Sequence, residues 1–188
     1  PLTALHEAFG LKAWTMRSEQ ALSGGGYALI DEVARAGDCP PNIPGEAEKT
    51  EAEFRHLLNW EGRATLTCRR VNRLDGHHVF IEAEFEHELH LPAVVNALSA
   101  WSQRVTPRHL PSAPDRAIML VDEVDPVNHV YADGTRLEAV GDPSRDLNLG
   151  MAVVVGNLEV SGRRVHFEAL SHNTLRGAAG GVVYLAEL

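Results

Sequence analysis

The chain has 188 residues, 44% of them hydrophobic and 23% charged, a composition that fits one folded domain over residues 1–188 and excludes wholesale disorder. A formal net charge of −9 with no run of Lys and Arg argues against nucleic acid as a partner, although Arg69, Arg70 and Arg73 gather enough local positive charge for a small anion. Cys39 and Cys68 form no CxxC pair, and the sequence has no apolar run of about 18 residues and no basic-then-apolar leader, so a reduced, cytoplasmic setting and no membrane partner are expected.

Leu2, Leu5, His6 and Phe9 recur at helical spacing before Gly10, which predicts a short helix ending at a glycine cap. Residues 11–17 alternate and read as a strand. The stretch 20–27, QALSGGGY, reads as a loop, since three consecutive glycines carry a high entropic cost inside a regular element. A weak helix over 28–36 and an irregular, proline-extended crossing follow. The clearest helix is 46–58, with acidic residues at its start and Arg55 and His56 near its end, matching the helix dipole. Strands are expected at 63–72 and 78–86, joined as a hairpin or corner across Leu74-Asp75-Gly76, and an amphipathic helix at 91–103. Residues 105–150 are broken, with strand-like IMLVDEV. Strands at 151–160 and 163–171 meet at Ser161-Gly162, and a last helix starts near Asn173, with Asn173 or Thr174 as its cap. Together these predict an α+β fold: a mixed, largely antiparallel sheet with helices on one face, the other face being a candidate for a second copy of the chain.

Few patterns suggest chemistry by themselves. Arg70 and His77 flank the expected bend, a fixed cation and a group that titrates near neutrality. Glu46, Lys49 and Glu53 share a helix face, the usual appearance of a solvated helix surface. His77 and His78 point to opposite faces of an extended strand, so one of them can face a given site. His87 and His90 lack H-E-x-x-H spacing and a third ligand, and no metal is expected. Cys68 reads as a small buried residue. HNTLRGAAGG, 172–181, opens a helix with small residues but lacks the glycine patterns of phosphate loops.

In chain order, QALSG, NIPGEAEK with Glu53 four residues on, TCRRVNRLDGHH, GMAVVVGNL and SHNTLRGAAG resemble the C-terminal domain of aspartate-β-semialdehyde dehydrogenases of the archaeal and fungal branch. The resemblance implies a semialdehyde dehydrogenase/glyceraldehyde-3-phosphate dehydrogenase-like C-terminal domain for catalysis and dimerisation. The enzyme of this family is NADP-dependent and reduces β-aspartyl phosphate to the semialdehyde, with phosphate released. It implies that Arg70 grips the substrate carboxylate and His77 is the general acid/base, with Gln20 orienting the substrate beside the nucleophile. Glu46 and Lys49 are implied to bind the amino group and phosphate, and Asn173, Arg176 and Gly177 to contact the nicotinamide end of NADP. The family's Asn-Cys-Ser/Thr nucleophile segment and N-terminal nucleotide-binding domain have no counterpart in these residues, so the polypeptide alone is expected to be inactive, and a homodimer or dimer of dimers is implied. Asn72, Arg73 and Asn157 depart from the family pattern, and residues 27–42 look shortened. A related malonyl-CoA or acyl-phosphate reductase, and a non-catalytic dimerisation relative, are the alternative readings.

Overall fold

Alternating apolar residues and helical stripes assemble into a six-stranded sheet in the computed structural model, which describes residues 1–106 and 110–188. Helix α1 (Leu2–Phe9) ends as the glycine predicts, with Gly10 at φ 69° donating its N–H to the His6 carbonyl. Strand β1 (Leu11–Gln20) runs three residues beyond the expected 11–17. The glycine stretch is not a plain loop: a 3₁₀ turn (Leu22–Gly25) leads into α2 (Gly26–Ala36), with Gly26 at φ 80°. Glycine tolerates that conformation, so the entropic cost is met at a junction between two helical turns.

Helix α3 (Glu46–Leu58) has Glu46 and Glu48 in its first turn and Arg55 and His56 in its last, as expected. It is followed by β2 (Arg63–Arg70), β3 (His77–Phe85), α4 (Leu91–Val105) and the short β4 (Ile118–Leu120). Strands β5 (Val153–Ser161) and β6 (Arg164–Ser171) form the expected hairpin. A five-residue π turn (Leu175–Ala179) then runs into α5 (Gly180–Glu187).

The strand order is β2-β1-β3-β6-β5-β4. Strands β1 and β2 are parallel, as are β4 and β5, and the other pairings are antiparallel. Of the hairpin and the corner expected here, the hairpin is excluded, because β1 lies between β2 and β3 and residues 71–76 turn the corner over its end. Local alternation fixes that two segments are strands and leaves their partners open.

Helices α1, α3 and α4 cover one sheet face. Leu5, Val94, Leu98, Phe85 and Phe167 are fully buried there beside Trp14, Met16 and Ile81. Phe54 fixes α3 by stacking on Trp14 at 4.6 Å and meeting Trp60 edge-on at 5.4 Å, and the Trp60 indole donates to the Leu11 carbonyl at 2.7 Å. Val154 and Leu170 point the other way into a smaller core with Met119, Val124, Val130 and Ala132, so part of 118–152 packs on the opposite face at the β5–β6 end. The β1–β2–β3 part of that face stays open, with Thr15, Arg17, Thr65, Thr67 and Glu82 exposed.

Candidate active site

Sheet register builds the site. On β1, Trp14, Met16, Ser18 and Gln20 alternate onto the helix-covered face, and the last of them sits opposite Arg70 on β2 and His77 on β3. His77 in turn pairs with Ser171 on β6. The final row of that face is thus Arg70, Gln20, His77 and Ser171, with the row beneath it formed by Cys68, Ser18, Val79 and Ala169. Two residues seven apart in the sequence become neighbours but one across a third strand.

Arg70 donates from Nη1 to Gln20 Oε1 at 2.5 Å and to the Ala21 carbonyl at 2.9 Å. Its Nε and Nη2 donate to no group among the described residues, leaving one edge of the fork for a carboxylate. Partial burial pulls its pKa below the ordinary 12.5, opposed by Cys39 and Glu46. Cys39 comes from the proline-rich crossing, which runs along the edge of β2 through an Asn42–Arg69 bridge and a bond from Arg70 N–H to the Pro41 carbonyl at 2.8 Å.

His77 is half-buried, and its Nε2 is out of solvent with no hydrogen-bond partner among the described residues. Burial lowers its pKa below 6.5, Arg70 and His78 lower it further, and Glu46 opposes them. The imidazole is therefore neutral near pH 7 and able to accept a proton. His78 points to the opposite face as expected, where it bonds Glu168 at 2.8 Å and stacks on Phe80 at 4.3 Å.

Glu46, at the first turn of α3, acts electrostatically on both Arg70 and His77 and so belongs with them. Lys49 does not join this group: its ammonium is largely exposed and 3.9 Å from Glu53, the solvated i,i+4 pair that the spacing suggested. Asn173 turns inward, its Oδ1 accepting the Gly76 N–H at 2.9 Å. Arg176 lies on another side, 5.9 Å over the Tyr184 ring, and Gly177 donates its N–H to the His172 carbonyl. The helix cap expected from Asn173 or Thr174 is instead His172, whose Nδ1 accepts the N–H groups of Thr174 and Leu175, both at 3.3 Å. A five-residue π turn and a buried imidazole do together what a hydroxyl cap does elsewhere.

Beside Asn173, a cavity of about 500 Å³ opens between the glycine-rich turn and the last helix, walled by Ser23, Tyr27, Leu74, Tyr131, His172 and Leu175. Tyr131, His172 and Asp75 there were not singled out from the sequence, although Asp75 and His172 lie inside the LDGH and SHNT segments that were. Among the described residues there is no cluster of His, Cys, Asp and Glu able to hold a metal, and no helix long and apolar enough to cross a membrane.

The chain is 33% identical over 189 residues to aspartate-semialdehyde dehydrogenase of Archaeoglobus fulgidus, an overlap of 95% of this chain and 50% of that protein. It is 31% identical over 207 residues to the enzyme of the same name from Aspergillus fumigatus, with 100% and 54% covered. The chain is homologous to the aspartate-semialdehyde dehydrogenases. It spans about half the length of these curated relatives. Malonyl CoA reductase (NADP) of Metallosphaera sedula is also similar, at 30% over 200 residues and 53% of its length. Among solved structures, aspartate semialdehyde dehydrogenase with NADP from Candida albicans superposes with a TM-score of 0.69 at 26% identity, covering 100% of this chain and 53% of that one. Aspartate semialdehyde dehydrogenase II of Vibrio cholerae, complexed with ASA, gives a TM-score of 0.71 at 21% identity, covering 99% and 56%, and shares the fold. The α+β sheet is thus that of the C-terminal domain of aspartate-semialdehyde dehydrogenases. No protein-family model matches the chain.

Proposed function

We propose that this chain is the substrate-binding and dimerisation domain of an NADP-dependent aspartate-semialdehyde dehydrogenase, acting with a nucleophilic cysteine and a nucleotide-binding domain that are not among these residues. The observation that carries this reading is the end row of the sheet, where Arg70, Gln20 and His77 meet under the start of α3. The free edge of Arg70 takes the substrate carboxylate, and the Arg70–Gln20 bond fixes the plane in which it does so. Glu46 supplies the negative charge that an α-amino group needs. His77, neutral and without a partner at Nε2 among the described residues, takes the proton as the semialdehyde is oxidised and returns it in the reductive direction.

The nicotinamide end of NADP would lie in the cavity between the glycine-rich turn and the last helix, where mainly aliphatic and aromatic walls suit a flat ring. When bound there, the cofactor supplies the hydride chemistry. Asn173 is committed to Gly76 through Oδ1, and its Nδ2 is buried with no hydrogen-bond partner among the described residues. Lys49 and Arg176 take no part in this arrangement. The exposed Val182 and Leu185 of α5, with Leu188 just after it, supply an apolar surface for the nucleotide domain, and the half-polar open sheet face supplies a surface for a second copy. A cytoplasmic setting goes with this reading.

Similarity to a malonyl CoA reductase favours a second reading, in which the same Arg70 holds a carboxylate that lacks a neighbouring amino group. The polypeptide as its source makes it decides between them when assayed with NADP, phosphate and aspartate semialdehyde against NADPH and malonyl-CoA. In the favoured assay, Arg70→Ala raises KM and lowers kcat/KM by about 100-fold or more, the loss of a charge-assisted bidentate contact. An unchanged kcat/KM removes the carboxylate role.

A further inference from the structure

Among the described residues His77 makes no side-chain hydrogen bond to orient its ring, so the ring's aim is inherited from the backbone that leads into it. That backbone is the crossover 71–76, which lies outside the strands on either side. Four bonds to the end of β1 and the turn after it hold the crossover: Val71 N–H to the Gln20 carbonyl at 3.1 Å, and the N–H groups of Ala21, Leu22 and Ser23 to the carbonyls of Gly76, Arg73 and Leu74 at 2.9, 2.8 and 2.9 Å. From the other side, Asn173 Oδ1 accepts the Gly76 N–H at 2.9 Å. Gly76 is at φ 109°, a conformation that a side chain resists, so the peptide just before His77 is set in an unusual direction and held at both ends.

At the centre lies Asp75, a carboxylate whose side chain is 15% exposed. Oδ1 accepts the Ser23 hydroxyl at 2.7 Å, and Oδ2 accepts the Tyr131 hydroxyl at 3.4 Å. His172 Nε2 stands 3.8 Å from Oδ1. Because His172 Nδ1 already accepts two backbone N–H groups, its proton is on Nε2 and faces Asp75. No Lys or Arg forms an ion pair with Asp75 among the described residues. A mostly buried carboxylate served by neutral donors is costly unless those donors are held in place, so the charge itself pulls them together. The three segments it joins are those that carry Gln20, the Arg70–His77 crossover and Asn173.

We propose that Asp75 is a positioning residue for His77, clamping the crossover to the Ser23 turn and to the His172–Asn173 segment so that the imidazole is held, buried and aimed, in the end row of the sheet. This rests on the reading of His77 as the proton-transfer group. It assigns Asp75 more than turn formation in Leu74-Asp75-Gly76.

The test uses the full chain with ring-labelled histidine, followed by proton–carbon NMR across about pH 5 to 8, with the His77 signal assigned through His77→Gln. In Asp75→Asn the clamp loosens and water reaches the ring, so the His77 midpoint rises toward 6.5 by about half a unit or more. A direct charge effect has the opposite sign, since removing a carboxylate lowers a histidine pKa. A folded variant whose His77 midpoint is unchanged or lower overturns the proposal. If Asp75→Asn does not fold, Ser23→Ala, which removes one donor, is read in the same way with the same upward shift expected. This measurement needs no substrate, so an absent dehydrogenase activity defeats the functional reading and leaves the clamp to stand or fall on the midpoint. In an active full-length protein, Asp75→Asn lowers kcat about 10-fold or more with KM unchanged, the reverse of the Arg70→Ala pattern.

Discussion

Three histidines, His77, His78 and His172, titrate below 6.5, in each case chiefly because burial disfavours the imidazolium. Glu168 opposes the shift at His78 and Asp75 opposes it at His172. A base with a depressed folded pKa binds fewer protons in the folded chain than in the unfolded one between the folded value and 6.5. Stability therefore rises with pH across that interval and is lost as pH falls through it. Thermal denaturation should give a Tm that is flat above about pH 7 and declines below 6.5, with a shallower decline in His172→Gln. An equal decline in that variant removes His172 from the account. At this scale the sequence showed Arg70, His77, Gln20 and Glu46 as candidates. It could not show that His172 caps a helix, because one buried nitrogen facing two backbone N–H groups depends on where the following turn folds.

The elements carry their own departures from pattern. Asn157, one of the residues read from the sequence as a departure from the family pattern, lies at φ 52° in an irregular step of the β5–β6 ladder, its Oδ1 accepting the Val124 N–H at 2.9 Å. Asparagine is suited to both tasks, since it tolerates the left-handed region and carries a short acceptor. Asn157→Ala is expected to cost about 2 kcal/mol in chemical denaturation, combining the backbone and hydrogen-bond losses, whereas Asn157→Gly recovers the backbone share, about 1 kcal/mol. Equal losses in the two variants would mean the backbone conformation is unstrained. Asn72 and Arg73 fall in the crossover, where Asn72 is exposed and the Arg73 carbonyl receives Leu22. The Arg73 side chain turns to the open face, 3.8 Å from Glu19, a carboxylate that also pairs with Arg17 and Arg69. The substitutions at 72 and 73 therefore leave the inner face of the end row untouched.

For the whole molecule, the two sheet faces differ in a way that bears on assembly. Helices cover one face, while over β1–β3 the other presents threonines, paired charges and Phe80, whose ring lies 3.6 Å below the Arg17 guanidinium and against His78. A half-polar sheet surface that includes an aromatic ring is suited to a self-complementary contact about a two-fold axis. Sedimentation equilibrium at micromolar concentration should find a dimer for the parent chain and a monomer for Phe80→Asp. A parent chain that sediments as a monomer at about 100 μM would defeat the proposed dimer.

Periodicity and capping chemistry, both properties of neighbouring residues, determined that the chain has an α+β composition of elements, that α1 stops at Gly10, and that α3 carries its charges along the dipole. The ordered motifs determined the family that it resembles. Tertiary structure alone decided that β1 enters between β2 and β3, and hence that Arg70, Gln20 and His77 share one row. Strand order follows from burying Trp14, Met16 and Ile81 beneath helices drawn from distant parts of the chain, a collective free energy that no local pattern contains. Asp75 is the same case in a single residue: its turn is legible in Leu74-Asp75-Gly76, but Ser23, Tyr131 and His172 reach it only once the chain has folded.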